Sequence, residues 1–400
     1  MPSSLLSLDL ESVEMSEGRT LSTLAELCGG KGVYGLTASA SLEPVGPKFL
    51  RTTDMIDGTI DWNTVPFCEV NDATAAKKRV LHGDLVISRT GANAGAAAYV
   101  STPPAGAVFA GYLVRFRADP AKADSRFLGY VLQSRPWHDY VGNSRTGSAQ
   151  PQFNAVLMGQ FGFDCPSLPE QRRIANVLGA LDDLIEANLG LINSLQQLRT
   201  AAWRGTRTAG RPVVFGEIAV LRNERVNPSQ VSPETVHLGL EHFAENGGGL
   251  VAQGSAAGLD SQKLRFQSGD VLYGKLRPYF RKVARPDFDG VCSSEIWVFH
   301  PADGVDAEYL EWLASSSEFT EFAMKGSGGT HMPRARWDHV AGMPVSLPSP
   351  TEMERISDIT LPMWQLMWSL TADNDALRRT RDELLPHLLS GRVSVREVAG

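Results

Sequence analysis

The stretch KLRPYFRKVAR (275–285) carries Lys275, Arg277, Arg281, Lys282 and Arg285 with no acid among them, and Tyr279 and Phe280 stand between. Cations interleaved with aromatics suit an anionic, stacked polymer. Ammonium and guanidinium groups hold phosphates, and an arginine fork matches the edge of a guanine. A second basic stretch, KKRVLHGDLVISR (77–89), supplies Lys77, Lys78, Arg79 and Arg89, with Asn93 shortly after. Two small-residue loops, NSRTGSAQPQ (143–152) and MKGSGGTHMPRAR (324–336), are polar and free of acids. Arg145, Gln150 and Gln152 in the first could reach base edges, as could Lys325, Thr330, His331, Arg334 and Arg336 in the second. The bland reading of any one basic cluster is a solvated face. These two clusters hold equivalent places in an internal repeat, and that favours a binding role.

Other chemistry finds little footing. The chain has no G-x-x-x-x-G-K-[ST] phosphate loop, no G-x-S-x-G elbow and no [ND]-P-P-[YFW] tetrapeptide of the amino-methyltransferase kind. GAVFAG and GANAGA lack the G-x-G-x-x-G spacing. PDFDGVCSSE (286–295) offers acids for a nuclease site but no lysine after the glutamate. His82, His331 and the other histidines show no metal-ligand spacing. Cys28, Cys68, Cys165 and Cys292 are far apart and form no C-x-x-C pair, so neither zinc nor a disulfide framework is expected. The residues describe a reader and organiser without catalytic groups of its own.

At 400 residues the chain can hold two to three domains, and 42% hydrophobic with 21% charged residues is ordinary for a globular protein. No apolar run is long enough to span a bilayer. The acidic opening MPSSLLSLDLESVEMSEGRT does not read as a signal peptide. A reduced, cytoplasmic setting is expected. The net charge is −7, made of −2 in 1–168, zero in 169–205, −3 in 206–349 and −2 in 350–400. With no segment basic overall, phosphate binding must rest on the local clusters.

The elements that position those clusters show in an echo. SLPEQRRI (167–174) and SPTEMERI (349–356) lie 182 positions apart. At that offset the match runs backward without a gap: Phe127 meets Tyr309, Tyr130 meets Trp312, Trp137 meets Phe319 and Pro151 meets Pro333. Both octets open on a Ser-x-x-Glu capping box with a proline just inside. Heptads follow. One ladder is Ile174, Val177, Leu181, Leu184, Asn188, Leu191, Leu195, Leu198, Ala202; the other is Ile356, Ile359, Met363, Leu366, Leu370, Asp373, Leu377, Thr380, Leu384. Seams this long predict two helices that pack on each other, with Asn188 fixing register. Two independent amphipathic helices fit less well, since one offset relates their phase and length. Pro362 predicts a kink in the second helix and Gly179 and Gly190 weaken the first, while Gly205 and Gly391 suit C-terminal stops. Upstream the repeat loosens. HGDLVISRTGANAGAAAYV (82–100) resembles SGDVLYGKLRPYFRKVARP (268–286) at offset 186, each a turn, a short strand and a polar stretch. The expected order is a mixed α+β lobe at 1–168, a helix at 169–205, a second lobe at 206–349, a helix at 350–391 and a tail at 392–400.

In this order, twice over, the segments resemble the specificity (S) subunits of type I restriction-modification systems. GDVLYGKLRPYFRKV followed by GVCSSEIWVF resembles that family's recognition-domain core. FLRTTDMIDG and HLGLEHF resemble the strand near each domain's start. SLPEQRRIANVLGALDDLI resembles the opening of the central helix, and LRRTRDELLPHLLSGRV the C-terminal end. SPTEMERI and Pro362 depart from the pattern. The resemblance implies an α+β fold: two pseudo-repeated target recognition domains joined by two long helices forming an antiparallel coiled coil. It implies that each domain reads one half of a bipartite site in double-stranded DNA. The helices would set the spacer and dock the methyltransferase (modification) subunits, two of them, and restriction subunits with motor and nuclease would join. This chain would be non-catalytic, and S-adenosylmethionine and ATP would belong to the partners. Two rivals come from other classes. A stand-alone DNA-binding regulator would bind tightly alone, against which the acidic balance argues. A DNA-modifying enzyme with an unrecognised site would methylate as a purified chain.

Overall fold

The computed structural model describes residues 19–56, 58–144, 153–205, 210–328, 332–393 and Val395. The chain divides into two compact units, Met1–Leu184 with Ala376–Gly400, and Ile185–Asp375. The boundaries fall inside two long helices, Leu168–Arg204 and Pro350–Leu389.

The lobe of the first unit is built on a four-stranded antiparallel sheet, Val33–Tyr34, Leu113–Arg117, Asp84–Ser88 and Ala97–Tyr99 in that order. The central strands are apolar on both faces because the sheet divides two cores. Leu85, Ile87, Val114 and Phe116 face one, together with the helices Ser125–Val131 and Arg135–Ser144; Val86 and Leu113 face the other. The lobe of the second unit repeats this. Its sheet is Ala219–Arg222, Ile296–Pro301, Val271–Gly274 and Val283–Ala284. Val271, Tyr273, Trp297 and Phe299 face one core, Leu272, Ile296 and Val298 the other. Each lobe is closed by pairing its first strand with the strand that leads into a long helix: Thr20–Thr23 with Gly162–Cys165, and Arg211–Val214 with Pro344–Leu347.

Within the first unit the start of the first long helix packs on the end of the second. Ile174, Ala175 and Leu178 share a core with Leu384, Leu385 and Leu388, and Arg381 Nη1 donates to Asp182 Oδ1 at 2.9 Å. Within the second unit the end of the first helix meets the start of the second: Trp203 packs with Met353 and Ile356, and Asn188 Nδ2 donates to Asn374 Oδ1 at 2.9 Å. The helices therefore run antiparallel.

The seam corrects half of each expected ladder. One column lies where the heptads put it, with Ile174, Asn188, Leu195 and Ile356 buried and Leu181, Met363, Leu370 and Leu377 half-buried. The other column is one residue later in both helices. Leu178, Ile185, Ile192 and Arg199 replace Val177, Leu184, Leu191 and Leu198; Thr360, Met367, Asn374 and Arg381 replace Ile359, Leu366, Asp373 and Thr380. Leu184, Leu191, Leu198, Ile359 and Leu366 are exposed. Adjacent apolar pairs such as Leu184–Ile185 and Leu191–Ile192 fit either phase, so packing decides. The capping boxes are also reduced. Ser349 Oγ accepts from Glu352 N at 3.3 Å, but Glu170 turns to Arg173 instead of closing a box with Ser167. The second helix continues unbroken through Pro362.

Candidate nucleic-acid interface

In each lobe one strand leads out of the central sheet into an eight-residue arch, 89–96 and 275–282, and the next strand leads back. A buried aspartate sets the start of each outgoing strand. Asp84 accepts both prongs of Arg117 (2.6 and 2.9 Å) and the Leu81 amide (2.7 Å). Asp270 accepts the Gln267 amide (2.8 Å), is hydrogen-bonded to His300 Nδ1 (2.8 Å) and lies 3.2 Å from Arg222 Nε. The feet of the arches are closed alike, by Ser88 N to Ala96 O and by Gly274 N to Lys282 O, each 2.8 Å. The loop that follows the helices of each lobe then returns to the arch: Phe153 N donates to Arg89 O (3.1 Å) and Ala335 N to Lys275 O (2.9 Å).

The second lobe gathers most of its expected residues here. Lys275, Arg277, Tyr279, Arg281 and Lys282 lie on the arch, with the Tyr279 ring exposed against Phe280. Arg334 pairs in the backbone with Leu276, and exposed Arg336 follows it. Lys325 is exposed at the end of the helix Ser317–Lys325. Three of these cations are engaged within the lobe, Arg281 by donating from Nη2 to Asn246 Oδ1 (2.8 Å). Lys282 Nζ donates to Leu240 O (2.7 Å), and Arg334 forks onto Glu295 (3.0 and 3.2 Å). The hydrogen bonds from Arg334 are the use the structure makes of the glutamate in PDFDGVCSSE.

The first lobe spreads its residues over two segments. Arg89 and exposed Asn93 are on the arch, Lys77 ends the helix Asp72–Lys77, and Arg79 is exposed beyond it. Tyr34, which the sequence did not single out, joins the two. Lys78 Nζ donates to its carbonyl (2.6 Å) and the Arg89 guanidinium lies 5.2 Å from its ring centre. Tyr112 accepts the Arg89 amide at its carbonyl and leaves its ring exposed. Its only signal was a tyrosine after glycine at a strand's start. Arg145, Gln150, Gln152, Thr330 and His331 lie outside the described residues.

Behind the second lobe's arch lies a buried ionic cluster. Arg199 Nη2 donates to Glu308 (2.6 Å) and Glu311 (2.8 Å), Arg285 donates to both, and the Arg285 guanidinium sits 3.7 Å from the centre of the Trp364 ring. Burial pushes the Glu308 carboxyl above its usual range despite the two guanidiniums; at Glu311 they outweigh burial and hold it below. The cysteines offer no nucleophile. All four are free, and burial pushes Cys28 and Cys292 up to about 12, protonated at neutral pH. Among the described residues no cluster of His, Cys, Asp or Glu is placed to hold a metal ion, and no helix is long and apolar enough to cross a membrane.

Comparison with known proteins agrees with this architecture. Residues 48–197 match the family described as type I restriction modification DNA specificity domain. The chain is 26% identical over 167 residues, 41% of its length, to the type I restriction enzyme EcoDI specificity subunit of Escherichia coli. It is 22% identical over 250 residues, 61% of its length, to the putative type I restriction enzyme MjaX specificity subunit of Methanocaldococcus jannaschii. The matched stretches span 37% and 57% of those two relatives. Among solved structures, the type I restriction-modification S subunit from M. genitalium aligns over 94% of this chain and 97% of its own, with a TM-score of 0.58 at 13% identity. The matched domain and the shared fold agree with the sequence motifs: residues 48–197 match a type I restriction modification DNA specificity domain, and the chain is similar in fold to a type I S subunit along nearly its whole length.

Proposed function

We propose that this chain gives a type I restriction-modification complex its DNA sequence specificity, each lobe reading one half of a bipartite site. The observation that carries this is the duplicated arch between equivalent strands of two lobes: the second lobe's carries Lys275, Arg277, exposed Tyr279, Arg281 and Lys282, and the first lobe's carries Arg89 and exposed Asn93 beside the exposed ring of Tyr112. With a net charge of −7, the arches alone make few phosphate contacts, so affinity depends on subunits that add more. Two modification subunits are those partners, with S-adenosylmethionine in their sites; restriction subunits bring ATP chemistry. The chain itself performs no reaction. The columns of Leu191 and Leu198, and of Ile359 and Leu366, are exposed at heptad spacing on the helices and are the face on which a modification subunit docks. The test is co-expression with a type I modification subunit and mapping of methylated adenines by long-read sequencing. Methylation at a split site with a fixed gap is expected. Methylation by the purified chain alone, or tight specific DNA binding without partners, would sink the reading.

A further inference from the structure

We propose that Arg277 and Arg281 determine which bases the second lobe reads, and that its arch keeps a strained backbone in order to present them. The proposal rests on the DNA-reading function above and adds the residues and the base class.

Among the described residues, the non-glycine positions with left-handed backbone are Asn246 (φ 60°), Arg277 (φ 52°) and Arg281 (φ 48°). Asn246 meets Arg281 directly, and Arg277 stands four residues before Arg281 on the same arch. Asn246 N donates to Phe280 O and Gly247 N to Arg281 O, each 2.8 Å, and Arg281 Nη2 donates to Asn246 Oδ1 at 2.8 Å. An L-residue with a bulky side chain takes this conformation against a steric cost that glycine escapes. At the offset of 186 that aligns the two arches, Arg277 corresponds to Gly91 (φ 72°) and Arg281 to Gly95 (φ 91°). The arch therefore turns left-handed at the same two points in both lobes. The first lobe fills them with glycine and the second with arginine.

The neighbourhood has been adjusted to allow it. A Cβ at Gly95 would stand 2.5 Å from Val141 Cγ1. The residue equivalent to Val141, 182 positions on, is the smaller, fully buried Ala323. At Gly91 a Cβ would meet nothing within 4 Å. The side chains then sit on a braced scaffold. Pro278 opens the turn Pro278–Phe280 between them, Arg277 N donates to Pro333 O at 2.7 Å, and Asn246 orients the Arg281 guanidinium. A half-buried guanidinium held on a braced arch keeps its planar fork for the paired acceptors on the edge of guanine. Strain kept at two sites where the sister lobe has none points to a selected function.

The strain and the reading make opposite demands, and that gives the test. The full chain is prepared as Arg277→Gly, Arg281→Gly and Arg277→Lys and co-expressed with the modification subunit. Thermal melting and the methylome are recorded for each. Each glycine variant should melt about 2–4 °C higher, since glycine relieves the strain. Each should also lose about ten- to a hundredfold in methylation at the wild-type site, relaxing a G·C pair of the second half-site only. Arg277→Lys keeps the charge and the strain but not the fork, so it should melt like the wild type and still relax that pair. Glycine variants that melt lower, or that methylate the wild-type site at the wild-type rate, overturn the proposal. A change confined to the first half-site also overturns it. A wild-type complex that methylates no split site removes the underlying reading as well, so the two failures are told apart.

Discussion

Gln171 and Met353 hold the same place in the two copies and fasten their lobes by different chemistry. Gln171 is buried. Its Oε1 accepts the Asp124 amide (2.9 Å), and its Nε2 donates to Pro166 O (2.9 Å) and Lys122 O (3.3 Å), tying two loops to the first helix. Met353 is buried in the second lobe's apolar core. The departure of SPTEMERI from SLPEQRRI is therefore an exchange of a hydrogen-bonded peg for an apolar one. The Arg199–Arg285–Glu308–Glu311 cluster yields a sharper prediction. Burial dominates at Glu308 and pushes its carboxyl up, so its charge is held against a cost; the guanidiniums win at Glu311, so its charge stabilises. A depressed carboxyl contributes stability above its unfolded pKa and loses it as pH falls through the lower folded value. At neutral pH, Glu311→Gln should cost about 3 kcal/mol, because it strands guanidinium charge in a buried site, and Glu308→Gln should cost less. Chemical denaturation of both variants at pH 7 checks the order; an equal or reversed order would show that the two carboxylates are not set apart.

At the scale of elements, the helices were legible and their packing was only half so. Seven-residue repetition announces a long helix from sequence alone, and one column of each seam follows from it. The other column includes Arg199, Asn374 and Arg381, polar residues that no hydrophobic pattern places inside. Each is admitted by a partner distant in sequence: Glu308 and Glu311, Asn188, and Asp182. The arch shows the same limit. The basic residues on and around the arches were visible in the sequence, but Lys78, Lys282 and Arg334 are engaged within their lobes by Tyr34, Leu240 and Glu295, which lie 39 to 44 residues away. Such engagements are decided by topology. The shifted column leaves Leu191 and Leu198 exposed, and their proposed use can be tested. A Leu191→Glu, Leu198→Glu double variant should keep the melting temperature within a degree or two, as neither side chain is buried. It should lose about tenfold or more in co-purified modification subunit, since a charge would enter an apolar interface. Undiminished co-purification would move the docking face elsewhere.

At the scale of the whole molecule, the proposed role of the helices is to fix the gap between the two half-sites. The first helix has 37 residues and the second 40, and they pair antiparallel. A matched insertion can lengthen both without disturbing the described pairs. Seven residues after Leu184 and seven after Leu377 leave Asp182 with Arg381 on one side and Asn188 with Asn374 on the other. Seven is the permitted step because it preserves the phase of both columns. Each helix grows by about 10 Å at 1.5 Å per residue. With base pairs about 3.4 Å apart, that is roughly three base pairs of added gap. Three base pairs also turn the second half-site by about 100° about the DNA axis, at about 10 base pairs per turn. The paired helices need not follow that rotation, so methylation should be slower than in the wild type. The letters of both half-sites should stay as they were, because the proposed reading assigns them to the arches and not to the helices. Adenine methylomes of the wild-type and inserted complexes decide it. A longer gap with unchanged letters is the expected result; an active variant with the original gap, or with new letters in either half, would show that something other than helix length sets the spacing.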